Sequence, residues 1–298
     1  MRVRLRNIFF FLSFFFVAKS IAQSDIDFWF AAPDLQQAHG DRPIYLRIAT
    51  SKTPAEVTIS IPANPSFQPI VLNVPADTAV SVNLTTYIDI IENIANATIQ
   101  KKGLRVQSTS RVTCYYDIAN TWNGDLFALK GRNALGTKFT VPFQMAFVNM
   151  PSSGTNTYTT DFIVLATEDS TIINVVSPVI LNGTGSKNST VKLNKGETFV
   201  FSILAVSAVN RPGGALVTSN KPIAITTKDD TLGYPGQGCG DTAGDQLIPD
   251  RLAGQEFALI AGYFTGTNPD YYYVFATEDN TKVNVNGANV DILAKAGD

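Results

Sequence analysis

Ala166-Thr167-Glu168-Asp169-Ser170-Thr171 and Ala276-Thr277-Glu278-Asp279-Asn280-Thr281 are one hexapeptide with a single exchange, Ser for Asn, 110 residues apart. Each follows a short apolar run, Ile163-Val164-Leu165 before the first and Tyr273-Val274-Phe275 before the second. A weaker copy, Leu46-Arg47-Ile48-Ala49-Thr50, lies upstream, with Ala49 set 117 residues before Ala166. Val106-Gln107-Ser108 with Arg111-Val112-Thr113 matches Val217-Thr218-Ser219 with Pro222-Ile223-Ala224 at an offset of 111. Leu135-Gly136-Thr137-Lys138-Phe139 matches Ala253-Gly254-Gln255-Glu256-Phe257 at 118. Several segments in one order at nearly one offset indicate tandem domains, because solenoid units repeat every 20–50 residues or so.

The pattern inside each copy is β. In Asp161–Val176, Phe162, Val164 and Ala166 alternate with Ile163, Leu165 and Thr167. Glu168-Asp169-Ser170 then reads as a turn, and Ile172–Val176 as the partner strand running back. Lys282–Asn286 alternates strictly, as a half-buried antiparallel strand does. Glu56–Ile61, Leu104–Ser108, Arg111–Tyr116, Thr198–Ile203, Ala215–Thr218 and Ile223–Thr227 also read as strands. Asn123-Gly124, Asn182-Gly183, Pro212-Gly213-Gly214 and Pro235-Gly236 supply turn chemistry between them. The one helical candidate is Tyr87–Ala95, with Ile88, Ile91 and Ala95 on one face. The expectation is an all-β protein of antiparallel β-sandwich-like repeats of about 110–118 residues.

Residues 1–22 carry a different signal. Arg2, Arg4 and Arg6 precede the apolar run Ile8–Ala18, and Ser20-Ile21-Ala22 places small residues where a signal peptidase reads them. The run is too short for the roughly 20 residues of a spanning helix, so export with cleavage after Ala22 is expected rather than a membrane anchor. The partition is then a signal peptide (1–22), a first repeat (23–136), a second repeat (137–254) and the truncated start of a third (255–298). Val191–Glu197 resembles Ile292–Asp298, which marks how far the third copy runs. So short a piece with open strand edges is not expected to fold alone. The reading is a fragment of a longer protein, with a terminal hairpin docked on the second sandwich as the alternative.

The 298 residues are 45% hydrophobic and only 16% charged, enough apolar material for packed cores and too little charge for long charged helices. Lys and Arg number 23 against 25 Asp and Glu. Removing Arg2, Arg4, Arg6 and Lys19 leaves 19 basic residues and a net charge of −6, which argues against nucleic acid as a partner. No later stretch is long enough to span a bilayer.

Candidate chemistry is sparse. His39, the sole His, would have to serve any Ser–His–Asp or Cys–His arrangement. It stands in a polar loop without a nucleophile motif, so a solvated side chain is the plainer reading. His and Cys are too few for a metal site built on them. Oxygen-only calcium ligation is conceivable in Lys228-Asp229-Asp230 or along Cys239–Asp245, though neither has the spacing of a calcium loop. Glu168-Asp169 and Glu278-Asp279 could be paired carboxylates for glycoside hydrolysis. Their repetition at equivalent turns favours a structural role. Cys114 shares a strand face with Val112 and aligns with Ile225, which predicts a small buried hydrophobe rather than half of a bridge to Cys239. Asn83, Asn96, Asn182 and Asn188 begin glycosylation sequons, which matter only in a host that uses them. Tyr271-Tyr272-Tyr273 offers aromatic contact surface, with alternation burying at least one ring. No catalytic residue, metal ligand or cofactor site is assigned, and the ligand-binding residues are left open.

Several segments together resemble the IgGFc-binding protein N-terminal domain family of large secreted and surface proteins of bacteria. They are Asp27-Phe28-Trp29-Phe30, Val112–Tyr116, Asp125–Gly131 through Leu135-Gly136-Thr137, the two Ala-Thr-Glu-Asp hairpins, Ser219–Ala224, and Cys239-Gly240-Asp241 through Asp245–Pro249. The resemblance implies extracellular β-rich domains without known catalytic residues. No residues of an immunoglobulin site map onto this sequence, so Fc binding is not carried over. The expected function is a non-catalytic, secreted or cell-surface adhesion module that contacts protein or glycan through loops and strand edges. The alternative is an extracellular carboxylate-dependent hydrolase.

Overall fold

The computed structural model describes residues 23–37, 40–149, 158–204, 210–233, 240–260 and 271–298. The expected signal segment, His39 and Cys239 lie outside them.

The first unit is built from β1 (Ser24–Phe30), β2 (Ile44–Thr50), β3 (Ala55–Ser60), β4 (Ile70–Val74), β5 (Ala79–Asn83), β6 (Leu104–Ile118) and β7 (Asp125–Ala128). The second is built from β8 (Gly136–Val141), β9 (Thr160–Ala166), β10 (Thr171–Leu181), β11 (Ser186–Leu193), β12 (Thr198–Ile203), β13 (Ala215–Gly233) and β14 (Gly240–Gln246). A hairpin of β15 (Thr281–Val285) and β16 (Ala288–Leu293) follows. Each strand of the first unit has its counterpart seven places on. The first sheet runs β4-β3-β6-β2-β5, with β1 and β7 on the other edge of β6; the second runs β11-β10-β13-β9-β12, with β8 and β14 on the other edge of β13.

The long strands explain the sandwich. Residues 105–108 of β6 pair with β3, while 112–118 pair with β2. One strand therefore belongs to two half-sheets that fold over a shared core. Leu46 and Ile48 of β2 meet Val57 and Ile59 of β3 in that core, together with Phe30, Tyr116 and Phe127. In the second unit, 216–219 of β13 pair with β10 and 223–229 with β9, over a core that includes Phe162, Val164, Ile173, Val175 and Phe201.

Four local expectations change. Leu104–Ser108 and Arg111–Tyr116 are one strand, as are Ala215–Thr218 and Ile223–Thr227. β10 does not run back along β9; both pair with β13, so Glu168-Asp169-Ser170 is a corner between half-sheets rather than a hairpin loop. The expected helix is a single turn, Ile88–Ile91, which gives way to extended Glu92 where that segment pairs in parallel with Ala32 and Pro33. Finally, Ile48 pairs with Cys114 whereas Val164 pairs with Ile225, so β9 matches β2 at an offset of 116, one short of the sequence alignment. Ile48 and Val164 are both buried in their cores. A slip of one residue would turn the whole face outward.

The units touch through a third apolar cluster. Trp29 and Ala31 of the first unit pack on Ile163, Leu165, Val200 and Ala224 of the second. This is why β9 is buried on both faces, unlike an ordinary sandwich strand. Among the described residues no helix is long and apolar enough to cross a membrane.

Candidate binding surface

The repeated hexapeptide is a polar corner. Thr171 Oγ1 donates to Glu168 O at 2.7 Å and Thr281 Oγ1 to Glu278 O at 2.8 Å. Asp169 Oδ1 accepts the Lys195 N–H and Asp279 Oδ1 the Ala296 N–H, each at 3.0 Å. Ser170 and Asn280 sit in the left-handed region, at φ 56° and 59°. The aspartates thus tie two successive turns together in both copies. The glutamate side chains are exposed.

Other expected residues are distributed as follows. Cys114 is a free, fully buried thiol, raised far above its usual range by burial alone. The four sequon asparagines are exposed. All three tyrosines of 271–273 keep some exposure, because that stretch forms no strand and no alternation. Tyr271 stands edge-on to Phe147, and Tyr272 donates to Ile260 O at 2.9 Å.

Of the two segments weighed for calcium, Lys228-Asp229-Asp230 belongs to a buried ionic cluster near the end of β13, whereas Asp241 and Asp245 are exposed. Asp229 accepts hydrogen bonds from Arg211, Thr160, Asn149 and Gln144, which engage both of its oxygens. Arg211 also donates to Phe147 O at 2.7 Å. Lys228 pairs with Asp161 at 2.8 Å, and Asp230 accepts the Gln36 N–H from the first unit at 3.2 Å. Asp245, on β14, pairs with Lys130. Among the described residues no group of three or more His, Cys, Asp or Glu could hold a metal ion. Close by, burial and the Asp34 and Asp41 charges push Glu92 up to about 9.

Two surface features face outward. The turn between β6 and β7 projects Trp122, 89% exposed. Its backbone is well held: Asn120 Oδ1 accepts the Trp122 and Asn123 N–H groups, and Asn120 Nδ2 donates to Arg42 O at 3.1 Å. The sequence signal for it is a Trp inside the turn Thr121–Gly124, where burial is not expected. The other feature is the face of residues 271–298. Val274 and Val285 are 55% and 46% exposed, although their counterparts Val164 and Val175 are 0% and 1%. Between this segment and the second unit lies a cleft of about 270 Å³ lined by Thr137, Lys138, Asp250, Arg251 and Glu278. Lys138 bridges it to Thr277 O and to Asp250.

Comparison with known proteins adds one family match. The sequence model of the family described as IgGFc binding protein matches residues 126–298, more than half of the chain. No curated protein matches the chain. Among solved structures, it is similar to a Bacteroides uniformis β-glucuronidase 2 at 15% identity, over 74% of this chain and 26% of that one, with a TM-score of 0.16. A β-glucuronidase from Ruminococcus gnavus is similar at 10% identity, over 75% of this chain and 36% of that one, also at 0.16. The chain spans about a quarter to a third of the length of these structures, and overlap at that TM-score bears on neither fold nor chemistry.

Proposed function

The chain belongs to the IgGFc-binding protein family, and from that premise we propose that it is a secreted or cell-surface adhesion module that binds an extracellular protein or glycan without turning it over. The observation that carries this reading is Trp122. A large aromatic held out of the structure by a hydrogen-bonded turn loses little further freedom on binding, and aromatic anchors of this kind dominate interface energetics. The same side chain offers a flat face to a sugar ring or an apolar pocket. Residues 1–22, read as a secretory signal, support export, and the near-absence of His fits a protein that makes contacts instead of moving protons.

The test is binding of purified residues 23–298 to a glycan array and to immobilised extracellular glycoproteins. Trp122→Ala is expected to weaken the best interaction at least tenfold while leaving the thermal midpoint unchanged, because the ring is 89% exposed and buries little in the fold. Hydrolysis of a glycoside, ester or peptide substrate that disappears when one Asp or Glu is replaced would overturn the reading.

A further inference from the structure

Lys228 and Asp161 stand directly opposite each other on β13 and β9. Their side chains are 3% and 2% exposed, and Lys228 Nζ lies 2.8 Å from Asp161 Oδ2. We propose that this pair condenses to an intramolecular isopeptide bond, Lys228 Nζ to Asp161 Cγ, that fastens β9 to β13. The inference does not depend on what the module binds.

The surrounding contacts match each requirement of the reaction. Nζ donates to three acceptors: Asp161 Oδ2, Thr159 Oγ1 at 3.0 Å and Asp34 O at 2.9 Å. The Thr159 hydroxyl in turn donates to Asp161 Oδ2 at 2.9 Å. One proton passes from Nζ directly to Oδ2, which frees a nitrogen lone pair aimed at the carboxyl group. The nitrogen attacks Cγ, and a second proton reaches Oδ2 through Thr159. Oδ2 leaves as water. The ammonium's third hydrogen remains as the amide N–H, already placed on Asp34 O. Oδ1 becomes the amide oxygen. Ammonium and carboxylate thus yield an amide and one water, with charge and atoms balanced and no co-reactant.

Two further observations favour the product. Asp161 Oδ1 is buried and has no hydrogen-bond partner among the described residues, a costly state for a carboxylate oxygen and a milder one for a neutral amide carbonyl. Burial also works against the Lys228 ammonium, which Asp161 and Asp230 hold charged. Condensation removes both charges from a dry site. The chemistry is confined to the second unit, because the corresponding cross-strand pair in the first is Tyr45 and Asp117.

Mass spectrometry tests this on the purified protein. The intact mass is expected one water below that of the sequence. Tryptic digestion should leave the bond after Lys228 uncut and yield a branched peptide joining the segments that hold residues 161 and 228. Lys228→Arg and Asp161→Ala should both restore the full mass, and Thr159→Val should slow the loss of water in freshly refolded protein. An intact mass equal to that of the sequence, with normal cleavage after Lys228, overturns the proposal even if every variant misfolds. A mass deficit without the branched peptide, as from a succinimide elsewhere, overturns it equally.

Discussion

Gly214 lies so close to Gly297 that a β-carbon on the former would meet the latter's carbonyl oxygen at 1.9 Å. Gly103, the counterpart of Gly214 at the head of β6, makes the same approach to Gly196, donating its N–H to Gly196 O at 3.1 Å. Leu165 beside Gly103 has its counterpart in Phe275 beside Gly213. The contact between the first and second units is therefore repeated between the second unit and residues 271–298.

That contact predicts the effect of added volume. A β-carbon at residue 103 would meet Leu165 Cδ1 at 2.3 Å and Gly196 O at 2.7 Å. Since the second obstacle is backbone, Gly103→Ala should cost about 1–3 kcal/mol, the usual range for overpacking. Urea denaturation checks it. Gly214→Ala adds backbone strain at φ +85° and should release residues 271–298 to limited proteolysis before the rest of the chain.

Glu92 predicts the pH dependence. Its carboxyl goes from an ordinary 4.5 up to about 9 in the fold. Between those values the folded state holds a proton that the unfolded chain has lost, so stability falls as pH rises through that window. Thermal midpoints should drop from pH 5 to pH 9, and Glu92→Gln should flatten the slope and raise the midpoint at the alkaline end. An unchanged slope in the variant would remove Glu92 as its source.

Arg211 and Asp229 are a buried pair with both side chains at or below 2% exposure. Arg211→Met should cost about 3–5 kcal/mol by leaving the carboxylate uncompensated. The double variant with Asp229→Asn should recover part of that loss. A double-mutant cycle measured by denaturation separates the pair's coupling from simple loss of packing.

Cys114 should be inert. Buried at 0% exposure with its thiolate disfavoured, it should react with a thiol reagent only at the rate of global unfolding. Fast modification in the native state would contradict its place in the core.

The repeat, the β class and the buried place of Cys114 were legible in the sequence because alternation is local, with successive side chains of a strand facing opposite ways. The hexapeptide was legible as a structural turn because two copies share its polar residues. Its geometry was not, because no local rule says that β9 and β10 share an edge of β13. The alignment of Ala49 with Ala166 slipped by one for the same reason: small residues on adjacent faces look alike until cross-strand pairs set the register. Trp122 was visible as a turn residue, but its 89% exposure followed only from the Asn120 bonds that hold the turn out. The pairing of Asp161 with Lys228 lay furthest from view. They are 67 residues apart, and each alone reads as an ordinary charged side chain. Local side-chain chemistry set which strands form, whereas hydrogen bonding along β13 decided which of their side chains meet in the dry interior.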